Sequence, residues 1–249
     1  MRAAMASVQE HYDAHLAPLY RWMSGGAAGP RQRFAELLRR LGLHAGHGAQ
    51  ALDLGAGNGF QSIPLAEAGY VVTAVDLSEV LLAELARDAG ARSVKAVLGD
   101  LRDLKLHVPV PAPTLIVCMG DTLSHLPSLE SVTALFRDAA TALAPGGHLL
   151  LSFRDYTVER TGAQRFIPVR SDADRIFTCF LDYGPTHLAV HDIVHTRNAS
   201  GWGQAISVYE KIRLAPAWVH DQLLAAGFGI LHNTTESGLV TLVAHHPVS

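Results

Sequence analysis

The stretch Ala51-Leu-Asp-Leu-Gly-Ala-Gly-Asn-Gly-Phe60 decides how this chain is read. An apolar run over 50–54 enters a turn with Gly55, Gly57 and Gly59 at alternate positions, and a helix-like pattern follows. Glycines at such a turn permit positive φ and let a ligand approach the backbone. A strand, a glycine turn and a helix opening an α/β unit make a nucleotide-binding geometry, with backbone N–H groups facing the ligand.

Two features narrow the nucleotide. In a dinucleotide fingerprint, G-x-G-x-x-G, the third glycine would stand where Phe60 stands. Asp53 precedes the glycines; a carboxylate there is awkward beside a pyrophosphate and suits a ligand with an ammonium group. Asp76 closes the next strand-like run, where an acid can accept hydrogen bonds from ribose hydroxyls. Together these favour a nucleoside bearing an amino acid over a dinucleotide, and disfavour a dehydrogenase.

Outward from this point, strands and helices alternate. Strand-like runs at 50–54, 70–75, 94–98, 115–119 and 148–153 are separated by helical patterns at 60–68, 78–89 and 129–143, which predicts a parallel doubly wound sheet. The segment 102–113, with three prolines, reads as a loop. Helical patterns at 7–23, broken near Pro18, and at 31–42 precede the sheet. Residues 164–214 hold strand-like runs at 165–170, 174–183, 187–197 and 203–214 with turn signals between them, an antiparallel insert. A helix at 216–226 and a hairpin at 228–245 close the pattern. The chain is thus one domain: a helical cap over 1–45, a core over 46–156 plus 215–249, and an insert over 157–214 acting as a lid.

Composition bounds the function. With 49% hydrophobic and 17% charged residues the chain is globular. A net charge of −3 without a basic cluster argues against nucleic acid as a partner. No stretch approaches the ~18 apolar residues of a membrane span, so a cytoplasmic protein without a membrane partner is expected. Two cysteines, Cys118 and Cys179, fit a reducing compartment. His187, His191 and His195 fall on a strand with neighbours ~13 Å apart, too far to share an ion, so no metal site is expected.

Five motifs in order then carry a resemblance: Asp53-Leu-Gly-Ala-Gly-Asn-Gly59, Val75-Asp-Leu-Ser78, Gly99-Asp-Leu101, the segment 115–126 and Leu143-Ala-Pro-Gly-Gly147. Together they resemble class I S-adenosylmethionine-dependent methyltransferases. The resemblance implies a seven-stranded, mostly parallel Rossmann-like sheet with strand 7 antiparallel between strands 5 and 6. It implies S-adenosyl-L-methionine as cofactor and S-adenosyl-L-homocysteine as product. Gly55, Ala56 and Gly57 should pass the methionine moiety, with Asp53 near its amine through a water. Asp76 should bind the ribose hydroxyls, Leu77 should lie against adenine, Asp100 should accept from the adenine amine beside Leu101, and the Cys118 carbonyl should meet the ligand amine. Tyr12 and Tyr20 should fold over the sulfonium, where an aromatic face gains ~1 kcal/mol; Trp22 either joins them or packs the helix.

Met119-Gly-Asp-Thr-Leu-Ser-His-Leu126 resembles the acceptor-side pattern Gly-Asn-Ser-x-x-His-Leu of glycine N-methyltransferases, with Asp121 in place of Asn. Asp121 either receives a cationic acceptor, serves as a base, or caps a turn. His125 either acts as a base or holds the loop by hydrogen bonding. Arg154, just past strand 5, is the leading candidate to bind an acceptor carboxylate, and Tyr209 is a weaker candidate. Within 187–197 the even positions are apolar except Asp192. That carboxylate should pair with Arg154, Arg170 or Lys211, or face the substrate cavity. The expected substrate is a small amine or amino-acid-like molecule. The alternatives are O- or C-methylation of a quinone or polyketide, and a non-catalytic adenosyl-ligand sensor. An exposed antiparallel insert could also pair two subunits as a homodimer.

Overall fold

A computed structural model describes residues 5–247. The chain opens with α1 (Val8–His11), one wide π turn (Tyr12–Leu16) and α2 (Ala17–Met23), followed by α3 (Ala28–Arg40). Ser7 and Glu10 cap α1 reciprocally, each accepting the other's backbone N–H. The expected break at Pro18 is instead the π turn. Proline cannot donate to the turn before it, and the Ala17 N–H reaches back five residues to the Tyr12 carbonyl.

The core runs β1 (Gln50–Leu54), α4 (Ser62–Glu67), β2 (Val71–Asp76), α5 (Glu79–Ala89), β3 (Val94–Leu98), α6 (Leu104–His107), β4 (Leu115–Cys118), α7 (Leu129–Ala142) and β5 (His148–Arg154). The insert follows as β6 (Phe166–Ser171), β7 (Arg175–Tyr183), β8 (His187–Asn198) and β9 (Gly201–Ile212). The chain ends with α8 (Pro216–Ala225), β10 (Gly229–Glu236) and β11 (Leu239–His245). Two local expectations were off. Residues 104–107 form a short helix that buries Leu104 inside the supposed loop, and the helix after the glycines starts at Ser62, because 55–61 are spent on the turn.

The main sheet has the order β10-β11-β5-β4-β1-β2-β3, with β11 antiparallel to both of its neighbours. This is the seven-stranded topology that the motifs implied. Central strands are buried on both faces, as parallel strands under helices must be. Leu52, Ile116, Leu149 and Leu151 pack on one side with Val132 and Phe136 of α7 and Val219 and Leu223 of α8. Ala51, Leu115, Val117 and Leu150 pack on the other with Phe34 and Leu38 of α3 and Leu85 of α5. Each fully buried leucine contributes about 1.5–3 kcal/mol.

The insert is a separate antiparallel sheet, β6-β7-β8-β9. Its parity is the expected one: Leu188, Val190, Asp192 and Val194 are buried while alternate residues are not. Cross-strand pairing sets Ser207 opposite Asp192, Tyr209 opposite Val190 and Lys211 opposite Leu188, so all six share one face. That face turns toward the carboxyl ends of the parallel strands. Among the described residues no helix is long and apolar enough to cross a membrane.

Candidate active site

Two adjoining cavities of ≈ 370 Å³ each lie at the carboxyl edge of the sheet, a size that holds a small ligand. Tyr12, Tyr20, Gly55, Thr122 and His125 line both and form the wall between them.

The first cavity is built by the turns after β1, β2 and β3. The Gly55 and Ala56 N–H groups donate to the Val75 carbonyl at 2.9 and 3.0 Å, fixing the glycine turn against β2. Gly55 has φ +73°, and a Cβ there would fall 2.3 Å from Thr122 Cγ2. No other residue fits. Gly59 serves packing instead: a Cβ would meet Leu85 of α5 at 2.7 Å. Asp76 anchors the turn, accepting from the Gly57 N–H at 2.7 Å and the Ser78 N–H at 2.8 Å. Each carboxylate oxygen keeps a free lone pair for a ribose hydroxyl. Burial raises the Asp76 pKa against these two amides. Leu77, Asp100 and Leu101 complete the wall. Asp100 is engaged by Arg102, both at the backbone and through the guanidinium at 2.5 Å. Burial works to raise its pKa, but Arg102 holds it below the ordinary value. An adenine amine would share that carboxylate with Arg102.

Asp53 and Cys118 stand apart from these walls. Asp53 is buried beneath the turn and accepts from Ser62 Oγ; burial pushes its pKa to about 7 despite that bond. An ammonium brought by a ligand would favour its charged form. The Cys118 thiol is fully buried, and burial pushes its pKa to about 12, so it is an inert apolar group.

The second cavity lies between the turns after β4 and β5 and the inner face of the insert. Asp121 is at its centre, with φ +141°, a conformation few non-glycine residues adopt. Its carboxylate accepts from Ser124 Oγ at 2.7 Å, the Arg154 N–H at 2.9 Å, Tyr156 Oη at 2.7 Å and the Lys211 ammonium. Burial opposes its charge, but Lys211 keeps the Asp121 pKa below the usual range; burial likewise opposes Lys211, and Asp121 raises it. Asp121 is therefore more than a turn cap: it is a fully satisfied buried anion.

His125 is half-buried, and its Nε2 lies 3.3 Å from Tyr12 Oη. Burial, then the Lys211 charge, push its pKa down to about 3. Tyr12 is raised well above 10, first by burial. A neutral phenol thus shares a hydrogen bond with a neutral imidazole, which makes His125 a poor base and a good positioning group. Tyr209 stacks on His11 at 3.9 Å and on His125 at 5.5 Å. Tyr20 stacks on Phe60 at 5.7 Å, and Tyr12 and Tyr20 are 6.2 Å apart. Trp22 takes the packing alternative: it donates to Asp172 and lies under Arg175, tying α2 to the insert. The Arg154 side chain is exposed in the cavity wall, while its N–H is committed to Asp121.

Asp192 does not pair with Arg154, Arg170 or Lys211. Lys211 is taken by Asp121, and the neighbours of Asp192 are Cys179 Sγ at 2.9 Å and His11 Nε2 at 3.2 Å. Sequence reasoning missed His11 in this role and Tyr156 as the donor to Asp121. Strand parity in β9 could have placed Lys211 and Tyr209 together on the inner face.

The glycine turn and Asp76 border the first cavity, and the Asp121–Lys211 ion pair lies in the wall of the second. Residues 51–147 match the family model described as "Methyltransferase domain". A cypemycin N-terminal methyltransferase from Streptomyces sp is 35% identical over 162 residues, 58% of this chain and 65% of that protein. The glycine N-methyltransferase of Rattus norvegicus is 33% identical over 132 residues, 48% of this chain and 43% of that one. A ubiquinone biosynthesis O-methyltransferase from Xanthomonas euvesicatoria is 36% identical over 118 residues, 47% and 46%. The chain thus spans less than two thirds of the length of these curated relatives. The structure of the CcbJ methyltransferase from Streptomyces caelestis shares the fold, with TM-score 0.77, 23% identity and coverage of 95% of this chain and 98% of that one. Residues 51–147 thus match a methyltransferase domain, and the chain as a whole shares the fold of a solved methyltransferase.

Proposed function

We propose that the chain transfers a methyl group to a small amine or amino-acid-like acceptor seated in the second cavity. The observation that carries this reading is the shared wall: Tyr12, Tyr20, Gly55, Thr122 and His125 border both cavities, so a nucleoside in one and an acceptor in the other meet there. When bound, the cofactor supplies an activated methyl group.

The protein's work is then alignment and exclusion of water. Gly55 admits the ligand closely, and Gly57, Asp76, Leu77, Asp100 and Leu101 hold it, with Asp53 acting on its amine from beneath the turn. Tyr12 and Tyr20 present aromatic edges and faces to a positive sulfur. The free guanidinium of Arg154 suits an acceptor carboxylate. The N-methylating relatives agree with this acceptor class. The O-methylating relative and the apolar wall residues Leu16, Met23, Phe177 and Leu181 favour a quinone-like acceptor as the second reading.

Transfer of labelled methyl from S-adenosylmethionine to panels of primary amines, phenols and quinones tests this. Label in the amines supports the proposal. Label confined to phenols or quinones supports the second reading, and no transfer to any panel contradicts both.

A further inference from the structure

The second cavity holds two buried carboxylates in very different states. Asp121 has four donors, one of them the Lys211 ammonium. Asp192 is 1% exposed and lines the same cavity, yet among the described residues no lysine or arginine lies within 4 Å of it. Its Oδ1 accepts from the Cys179 thiol at 2.9 Å. Its Oδ2 is 3.2 Å from His11 Nε2, but the ring is misaligned and Nε2 is left without a hydrogen bond. His11 Nδ1 is turned instead to Ser207 Oγ at 2.8 Å. A buried carboxylate is costly unless a cation balances it. Around Asp192 the cavity wall is aromatic, with Tyr12, Phe177 and Tyr209, and such rings present negative faces to a cation.

We infer that Asp192 is the recognition point for an organic ammonium group of the acceptor, received against Cys179 and His11 within this aromatic wall. The acceptor cavity thus takes ligands with an apolar body and at least one basic nitrogen. The inference rests on the reading that the second cavity seats the acceptor, and it extends that reading by naming the group that is bound. His11 serves the same point from the cap: stacked on Tyr209 at 3.9 Å, it is fixed 3.2 Å from Oδ2 without a hydrogen bond to it. Ser207, opposite Asp192 across β8 and β9, sets the orientation of the ring.

Calorimetry on the protein saturated with S-adenosylhomocysteine tests this with two probes of the same shape, cyclohexylamine and cyclohexanol. The amine should bind at least tenfold more tightly than the alcohol, and Asp192→Asn should remove the preference while changing S-adenosylhomocysteine affinity less than threefold. Equal binding of the two probes to the wild type overturns the inference, whether or not the variant folds. An Asp192→Asn protein that melts earlier but keeps the amine preference also overturns it, leaving Asp192 as a latch for the cap. Because cofactor binding and labelled-methyl transfer are read separately, failure of the transfer assay with the amine preference intact would sink the function and not the subsite.

Discussion

Asp121 and Lys211 form a buried ion pair between the turn after β4 and the inner face of the insert, each about 8% exposed. Removing one partner strands the other charge, which costs about 3–5 kcal/mol, whereas replacing both with neutral groups is far milder. Lys211→Met should therefore destabilise strongly, and Asp121→Asn with Lys211→Met should recover most of the loss, as read by urea denaturation. Additive losses in the double variant would show that the two groups are not coupled.

The same pair sets a pH window. The Asp121 pKa is depressed in the folded state, so its stabilisation is present above the unfolded value of about 3.9 and is lost as pH falls through the folded value. The Lys211 pKa is raised, so its stabilisation is complete below about 10.4 and is lost as pH rises through the folded value. Melting temperature against pH should show a plateau between these limits that the double variant broadens. An unchanged acid and alkaline arm in that variant would place the titrating groups elsewhere.

His125 has a folded pKa near 3, below the unfolded value of about 6.5. Its contribution to stability is therefore present above about 6.5 and declines as pH falls toward 3. In proton NMR its ring signals should stay flat from pH 5 to 9. A titration midpoint near 6.5 would mean that the ring is solvated and free to act as a base. His125→Gln should lower methyl transfer by loosening Tyr12, without removing a limb of the pH profile.

The glycines of the turn separate by geometry. Gly55→Ala meets Thr122 at 2.3 Å and φ +73°, whereas Gly57→Ala has φ +53° and its nearest contacts at 3.9 Å. The left-handed conformation alone costs about 1–2 kcal/mol. Gly57→Ala should lose about that much in denaturation, and Gly55→Ala clearly more. Equal losses would show that Thr122 yields without cost.

Much of this was legible along the chain. The strand and helix alternation, the glycine turn, Asp76 and the parity of β8 follow from local spacing, and the structure repeats them. The short helix at Leu104–His107 was hidden among three prolines, because a single helical turn leaves too little periodicity to read. The partners of Asp121 and Asp192 were hidden for another reason. Lys211 lies 90 residues from Asp121, and His11 comes to Asp192 from the opposite end of the chain. Side-chain pairs across elements leave no local pattern: Lys211 was one of three candidate partners for Asp192 and instead meets Asp121, because strand parity says which face a residue occupies, not which neighbour it finds.

The proposed function requires cofactor binding through Asp76. Calorimetry with S-adenosylhomocysteine should give a dissociation constant on the order of micromolar for the wild type, with no binding of NAD. Two hydrogen bonds to a charged acceptor contribute about 1.5–3 kcal/mol each, so Asp76→Ala should weaken binding by at least tenfold in a protein whose circular dichroism is unchanged. Wild-type affinity retained by Asp76→Ala, or binding of NAD in preference to S-adenosylhomocysteine, would contradict the account.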